Sequence, residues 1–301
     1  MQVPPNLKNG DFVGVVASGR AVEAENTHEA VRFFSSCGWR TKTGYTIGEK
    51  HYQLGGTEKE RIDDFNRMLA DPEIRAIFIT RGGFGHLNIV DEIDWGLLKK
   101  DPKWICGFSD VTVLISHINQ NLNMQALHCS MPFQWGNPDF HQKNLTSITS
   151  LLAEESIQYA WEGTSLNDEK ISGQLIGGNL SVLHCLTGSS SFPDFEDKIL
   201  FIEEVDEYLY HIDRMLVTMK RTGKLKKLKA ILAGYFTEIK DHEEPFGADA
   251  KEIITKHATS VDIPVFWGFP AGHHKQNYAL PMGADVEILR DGKQNILNIF
   301  N

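Results

Sequence analysis

The sequence predicts an α/β fold, with an N-terminal, doubly wound and mostly parallel sheet followed by a second, C-terminal α/β domain. Strand-like and helix-like segments alternate in βαβα order through the first half of the chain. Several apolar runs are continuous, which is typical of strands buried on both faces of a parallel sheet. A turn-rich stretch then separates this half from a second set of apolar strands and amphipathic helices.

The chain has 301 residues, enough for one large domain or two of ordinary size. The alternation of strand-like and helix-like segments is unclear between about Asn137 and Ser172. Turn-forming residues and a ribbon-like stretch replace the regular hydrophobic periodicity there. We therefore predict an N-terminal domain at residues 1–140, a linker at 141–172 and a C-terminal domain at 173–301. The active site is expected between the two domains.

The predicted helices of the first half are bounded by residues typical of helix ends. Residues 24–38 carry apolar side chains at helical spacing and end at Gly38, a residue typical of a helix C-terminus. Thr57 and Glu60 form a capping-box pattern before the next helix. The predicted strands of this half are residues 11–17, 74–80, 103–107 and 124–132.

Ligands of doubly wound sheets bind outside the carboxyl ends of the strands. Three loops reach that edge: "ASGR" at 17–20, "TRGGFG" at 80–85 and "CGFSD" at 106–110. Ser109 stands where the third strand stops and the helix "VTVLISHINQ" starts, so it is either a helix cap or a nucleophile on a tight turn. Gly82 and Gly83 would let a backbone approach such a nucleophile closely.

The second half offers an acid and a base at other strand ends. Its elements are a glycine turn leading into a helix (173–188), a strand (197–207), an amphipathic helix (209–228), a strand (229–238), and a strand, loop and closing β-hairpins (263–292). Glu203 and Glu204 end the apolar run "ILFI", and His273 lies in a glycine-flanked loop after a strand. Each has an ordinary alternative, a strand that emerges into water or a solvated loop histidine. Among the other histidines, His86 is expected at the surface and His128 in the core.

Together the three strand ends supply a nucleophile, an orienting acid and a base, in the order Ser109, Glu203, His273. The α/β-hydrolases use the same order but carry G-x-S-x-G. Val111 stands where that motif requires its second glycine, so that family is a poor fit.

The motifs "GFSD", "RGGFG", "QLIGGNL", "ILFIEEVDEYLYHIDRML" and "GFPAGHHKQNYALPMG" resemble, in order and over nearly the whole chain, those of the serine LD-carboxypeptidase family. That family comprises the muramoyl-tetrapeptide carboxypeptidases, with the microcin-immunity peptidases as a branch. The resemblance implies that Ser109 is the nucleophile, Glu203 the acid and His273 the base. It also implies that the amide of Asp110 and the loop Arg81–Gly85, with Gly82 and Gly83, line the oxyanion site.

Some residues of these motifs keep open roles. Glu204 and His274 stand beside the matched acid and base and are their alternatives. Arg81 or a positive loop dipole could hold a substrate carboxylate. Asn179 and Arg214 fall in family-like motifs without an assignable role.

The resemblance implies acyl transfer without a metal or cofactor, on a small peptide such as murein tetrapeptide with a terminal D-Ala, by a homodimer. A metal hydrolase is disfavoured because no HExxH occurs and the adjacent His273 and His274 cannot easily reach one ion. A microcin-immunity-type peptidase acting on peptide–nucleotide conjugates is an alternative. So is a non-enzymatic two-domain protein that binds a small ligand.

The composition of the chain limits the classes of binding partner and the cellular compartment that we expect. Forty acidic against 30 basic residues give a net charge of −10, which argues against a general nucleic-acid binder. The sequence contains no run of 18 apolar residues, so no membrane span is predicted. The first residues do not resemble a signal peptide. The four cysteines form no CxxC pair, which favours buried thiols and a reducing cytoplasm.

Overall fold

The computed structural model describes residues 1–153, 157–165 and 170–300, and the strands in these ranges form two sheets. In chain order the strands are β1 (Phe12–Val16), β2 (Arg40–Thr43), β3 (Ile74–Ile79), β4 (Trp104–Gly107), β5 (Ala126–His128), β6 (Gln158–Glu162), β7 (Ile171–Asn179), β8 (Lys198–Val205), β9 (Ala230–Thr237), β10 (Val265–Trp267), β11 (Leu280–Met282), β12 (Asp285–Asp291) and β13 (Gln294–Phe300).

The first sheet has the strand order β11-β5-β4-β3-β1-β2. Its neighbouring strands are parallel from β5 to β2, and β11 adds an antiparallel edge. The second sheet has the order β10-β9-β8-β7-β12-β13-β6, parallel from β10 to β7 and antiparallel beyond. This architecture confirms the predicted fold class, a doubly wound parallel sheet followed by a second α/β unit.

The chain crosses between the sheets more often than the sequence suggested. The stretch 263–292 does contain a closing hairpin, β12–β13, but β11 leaves the second sheet and pairs with β5 of the first. The predicted linker 141–172 contains a helix and β6, which pairs with β13. Its residues 154–156 and 166–169 lie outside the described residues, and the division into domains stays a prediction.

The α-helices of the described ranges are α1 (His28–Ser36), α2 (Glu58–Ala70), α3 (Trp95–Lys100), α4 (Thr112–His117), α5 (Lys143–Leu152), α6 (Leu180–Cys185), α7 (Leu209–Arg221) and α8 (Ala250–Thr259). The capping box predicted before α2 is confirmed. The Glu60 backbone N–H donates to Thr57 Oγ1 at 3.3 Å, and the Thr57 N–H donates to Glu60 Oε2 at 2.8 Å. Each helix in the described ranges is too short or too polar to cross a bilayer.

Strand β8 separates two apolar clusters and shows how the site is positioned. Ile199 and Phe201 belong to a cluster shared with the first sheet, whereas Leu200 and Ile202 pack among α7 and α8. Successive side chains of a strand point to opposite faces, so the next residue, Glu203, faces the first sheet. The carboxyl end of β8 therefore delivers an acid to the boundary between the two sheets.

Candidate active site

Ser109 follows β4 and opens a 3-10 turn, Ser109–Val111, that leads into α4. Its backbone has φ = +63°, a left-handed conformation that is costly for a residue with a side chain. Its hydroxyl does not cap the turn, whose N-cap position is Phe108. Instead, Ser109 Oγ lies 3.1 Å from His273 Nε2, so the capping interpretation fails and the serine faces a base.

His273 lies between that serine and a buried acid. Its Nδ1 is 2.7 Å from Glu203 Oε2, and its backbone N–H donates to the same oxygen at 3.2 Å. Glu203 is 0% exposed, and Gly272 (φ +120°) lies so close that an added Cβ would be 2.8 Å from the Glu203 Cβ. The glycine before His273 is therefore required for the histidine loop to sit against the acid.

The charges of this pair reinforce each other. Burial lowers the pKa of His273, but the Glu203 carboxylate outweighs it, so the pKa is raised above its ordinary value. Burial raises the pKa of Glu203, but the charge and hydrogen bond of His273 outweigh it, so the pKa is lowered. The arrangement stabilises an imidazolium, which a histidine accepting a serine proton has to become.

A second buried histidine lies behind the acid. His128 is 0% exposed, as expected from its apolar context, and burial lowers its pKa to about 4, so it is neutral at pH 7. Its Nε2 lies 3.2 Å from Asn277 Oδ1, which also accepts the Gly272 N–H at 2.9 Å. Asn277 thus anchors the loop that carries His273. Sequence reasoning missed Asn277, whose neighbours in the loop gave no indication of its partners.

The glycine loop lies directly against the serine. A Cβ added to Gly82 would be 3.2 Å from Ser109 Oγ and 3.3 Å from the Asp110 backbone N. In the described part of the chain, the backbone N–H groups of Gly82 and Gly83 donate to no protein acceptor. Gly83 has φ = +101° and leaves room for the Arg20 side chain. Gly82 and the Asp110 backbone N therefore lie beside the serine oxygen, where an oxyanion would need N–H donors.

The Asp110 side chain has a structural role that the sequence did not reveal. Asp110 Oδ2 accepts hydrogen bonds from the His86 N–H at 3.1 Å and from His86 Nδ1 at 2.7 Å. His86 Nε2 lies 3.0 Å from Ser18 Oγ, so the three loops at the sheet edge are tied together. The expectation that His86 is at the surface was wrong, because it is 0% exposed. Burial raises the Asp110 pKa, but His86 outweighs it and the pKa is lowered.

Glu204, the alternative acid, contacts residues at the start of α6. Its Oε1 accepts from Asn179 Nδ2 at 2.9 Å, and its Oε2 accepts from the Ser181 N–H at 2.7 Å. Asn179 in turn caps α6, because its Oδ1 accepts the Val182 N–H at 3.1 Å. Glu204 and Asn179 therefore organise the start of α6.

The other residues with open roles also have neighbours outside the serine–histidine pair. His274, the alternative base, is exposed, and its ring lies 4.3 Å from that of Tyr235. Arg214 lies exposed on α7 with its guanidinium 5.1 Å from the Tyr210 ring centroid.

Arg81 lies on the other side of the glycine pair, half-buried, with its guanidinium 5.3 Å from the Phe133 ring centroid. Burial lowers its pKa, and the neighbouring Arg20 lowers it further. Phe133 and His273 both line a cavity of about 380 Å³. Arg81 therefore lies against Phe133, which is part of the wall of this cavity. Within the described residues, no group of three or more His, Cys, Asp or Glu side chains is arranged to hold a metal ion.

Comparisons with known proteins identify the family that the chain resembles. Residues 13–129 match the family model of the LD-carboxypeptidase N-terminal domain, and residues 172–288 match that of the LD-carboxypeptidase C-terminal domain. A probable murein peptide carboxypeptidase of Bacillus subtilis (strain 168) is 33% identical over 289 residues, which cover 95% of this chain and 91% of that protein. The microcin C7 self-immunity protein of Escherichia coli is 26% identical, with 95% and 93% covered.

A solved structure extends the comparison to three dimensions. The muramoyltetrapeptide carboxypeptidase from Oxalobacter formigenes superposes with a TM-score of 0.88 at 25% identity, covering 96% of this chain and 99% of that one. The similarity therefore spans both sheets and the boundary at which Ser109, Glu203 and His273 meet.

Proposed function

The chain belongs to the LD-carboxypeptidase family, and we propose that it hydrolyses the amide bond before a C-terminal D-amino acid with Ser109, His273 and Glu203 as its catalytic triad. One observation carries the assignment of the triad: an unbroken chain of contacts runs from Ser109 Oγ through both nitrogens of His273 to Glu203 Oε2, at 3.1 and 2.7 Å. The enzyme is a serine-type carboxypeptidase, and the proposal assigns it neither metal nor cofactor.

The chemistry follows from the positions of the atoms. His273 Nε2 takes the Ser109 hydroxyl proton as the serine oxygen attacks the scissile carbonyl, and it then passes that proton to the leaving amine. Glu203 stays ionised, holds the imidazole through Nδ1 and stabilises the imidazolium. Water, deprotonated by His273, releases the acyl group and regenerates the serine.

The negative oxygen of the tetrahedral intermediate needs donors beside the serine. We assign this role to the backbone N–H groups of Asp110 and of the Gly82–Gly83 loop. Gly82 and the Asp110 backbone N lie beside Ser109 Oγ, and the loop N–H groups have no protein acceptor among the described residues. A carboxypeptidase must also hold a free carboxylate. Arg81 is our candidate, because it combines positive charge with a half-buried position against Phe133, which lines the cavity beside His273.

The substrate is inferred from the relatives. One is named a probable murein peptide carboxypeptidase and another a muramoyltetrapeptide carboxypeptidase. We propose a murein tetrapeptide-like substrate from which D-Ala is released, as in peptidoglycan recycling. We also propose a cytoplasmic homodimer. Its four cysteines are free, which fits a reducing compartment, and light scattering would test the dimer.

The deciding experiment measures D-Ala release from murein tetrapeptide by mass spectrometry, for the wild type and for Ser109→Ala. We expect release by the wild type and none above background by the variant, at equal thermal stability. A fluorophosphonate probe should label the wild type and not the variant. Release of D-Ala by folded Ser109→Ala would overturn the serine mechanism, and absence of labelling in the wild type would favour the non-enzymatic binding protein.

The microcin-immunity alternative is favoured by one observation, the 26% identity to the microcin C7 self-immunity protein over 95% of this chain. It predicts cleavage of an amide in a peptide–nucleotide conjugate. Competition between such a conjugate and murein tetrapeptide in a single assay decides between them, because the preferred substrate has the larger kcat/KM.

A further inference from the structure

A second chain of serine, histidine and acid lies among the loops at the sheet edge. His86 Nε2 lies 3.0 Å from Ser18 Oγ, and His86 Nδ1 lies 2.7 Å from Asp110 Oδ2. These distances are close to the 3.1 and 2.7 Å of the proposed triad. Ser18, His86 and Asp110 are only 1%, 0% and 4% exposed, so no substrate carbonyl can reach this serine. Any role of this second chain in catalysis is therefore one of position and not of nucleophilic attack.

Two hydrogen bonds to a single oxygen fix His86 against Asp110. Burial raises the pKa of Asp110, but the charge and hydrogen bonds of His86 outweigh it, so the pKa is lowered and the carboxyl is ionised at pH 7. A carboxylate oxygen only accepts, so His86 Nδ1 carries a proton and donates it to Asp110 Oδ2. The His86 backbone N–H donates to the same oxygen at 3.1 Å. His86 thus has one orientation, in which Nε2 faces Ser18.

One end of this chain leads to the proposed oxyanion donor that follows the nucleophile. The Asp110 backbone N–H has no protein acceptor among the described residues. A Cβ added to Gly82 would be 3.3 Å from that nitrogen, so the N–H lies beside the glycine loop. Because His86 holds the Asp110 side chain, the orientation of the residue that carries this N–H depends on a contact outside the triad.

The other end leads to the glycine loop. Ser18 stands two residues before Arg20, whose backbone N–H donates to the Gly82 carbonyl oxygen at 3.3 Å. In a trans peptide the C=O and the following N–H point in opposite directions, so this bond sets the direction of the Gly83 N–H. Both ends of the chain therefore reach a proposed oxyanion donor.

Arg61 of α2 connects the same two loops. It is 0% exposed, and its Nη1 donates to the Ser18 carbonyl oxygen at 2.8 Å and to the Gly85 carbonyl oxygen at 3.1 Å. Its charge also contributes to the lowered pKa of Asp110. The relative position of the loops is thus set by buried polar contacts, which have preferred lengths and angles, as well as by apolar packing.

We propose that His86 is a positioning residue for the oxyanion site: by bridging the Asp110 carboxylate and the Ser18 hydroxyl, it holds the N–H groups of Asp110 and Gly83 at the spacing that the tetrahedral intermediate requires. The inference rests on the proposed function and deepens it. Breaking the bridge should weaken binding of the transition state more than binding of the substrate, because the oxyanion forms only as the reaction proceeds.

The test compares two substitutions that each keep one half of the bridge. His86→Asn retains an amide donor at the position of Nδ1 and loses the contact with Ser18, whereas His86→Gln places an amide at the reach of Nε2 and loses the donor to Asp110. We expect each to lower kcat for D-Ala release by about 10- to 100-fold, the effect of misplaced groups at a reacting centre, with KM within about twofold of the wild type. Ser18→Ala opens the other end and should lower kcat by about fivefold, as for one neutral hydrogen bond. This variant provides the test if the His86 variants do not fold.

A double-mutant cycle separates positioning from a purely structural role. When His86→Asn is combined with Gly82→Ala, the decrease in kcat should be at least about fivefold smaller than the product of the two single effects, because both changes act on the same oxyanion contact. A fully multiplicative effect refutes the proposal, and so does a kcat within about threefold of the wild type in the folded His86 variants.

His257→Asn is the matched control, since His257 is also buried and its Nε2 lies 2.7 Å from Asp213 Oδ1 between α7 and α8. It should lower the midpoint of thermal unfolding and leave kcat unchanged. If the wild type releases no D-Ala, the proposed function fails, and the rate of fluorophosphonate labelling of Ser109 then decides the inference. The His86 variants should be labelled more slowly than the wild type. Labelling at the wild-type rate refutes the inference, and absence of labelling in the wild type overturns both.

Discussion

Replacing Gly82 by alanine should abolish most of the activity without unfolding the protein. The added Cβ would lie 3.0 Å from the Ser109 Cβ, 3.2 Å from its Oγ and 3.3 Å from the Asp110 backbone N. An oxyanion has to approach that N–H to about 2.7–3.1 Å, so the methyl group occupies the space that the oxyanion needs. Loss of one such donor typically lowers kcat by 10²–10³, about 2.7–4 kcal/mol of barrier, and we expect a loss in this range.

The same contacts limit the structural damage. Gly82 has no left-handed backbone that would exclude alanine, and its tightest contact requires a shift of only a few tenths of an ångström. We expect a destabilisation of about 1–3 kcal/mol, typical of one extra methyl group in a packed site. Thermal unfolding and kcat/KM for D-Ala release should be measured on the same preparations. Gly136→Ala is the control, because its Cβ would make an ordinary 3.4 Å contact with Glu29 Cγ.

Retention of activity would refute the reasoning. If folded Gly82→Ala keeps kcat/KM within about threefold of the wild type, no oxyanion donor of the usual strength lies at that position. A parallel slowing of fluorophosphonate labelling is expected, because the phosphonyl oxygen occupies the same space as the oxyanion.

Three further predictions concern pH, metal and stability. Because His273 acts as a base when neutral and its pKa is raised above 6.5, activity should rise with pH through a limb above pH 6.5. Glu203→Gln leaves burial as the main influence on the His273 pKa, so that limb should move to lower pH while kcat falls, as pH–rate profiles would show. EDTA should leave D-Ala release unchanged, and loss on chelation with rescue by zinc would contradict the serine mechanism. Thr57→Ala removes the cap of α2 and should cost about 0.5–2 kcal/mol in urea unfolding with activity unchanged.

The alternation of strands and helices was sufficient to predict which loops lie together around Ser109. Parallel strands place their carboxyl ends at one edge of the sheet. Local sequence patterns alone therefore predicted that the loops "CGFSD" and "TRGGFG" lie close together. The left-handed backbone of Ser109 could not be predicted in this way, because serine by itself favours other conformations. That conformation is maintained by tertiary contacts, including the bond to His273.

Residues missed by the sequence analysis share a physical reason. Asn277 and His86 owe their positions to partners far away along the chain, His128 and Asp110, and their local contexts are those of ordinary loops. The return of β11 to the first sheet is a similar case. Leu280 and Met282 are buried against β5, but a three-residue apolar segment does not specify which sheet it joins.

The choice between Glu203 and Glu204 shows where local patterns reach their limit. Neighbouring residues of a strand point to opposite faces, so only one of two adjacent acids can meet His273. The preceding residues of β8 are apolar on both faces, and the sequence therefore does not say which face borders the serine. In the structure, Phe201 packs with the first sheet and Ile202 does not, and this parity directs Glu203 to the base and Glu204 to the start of α6. Because the two glutamates are adjacent on the strand, their side chains point to opposite faces and have different partners. Glu203→Gln should change the pH profile of catalysis, whereas Glu204→Gln should affect activity by displacing the start of α6.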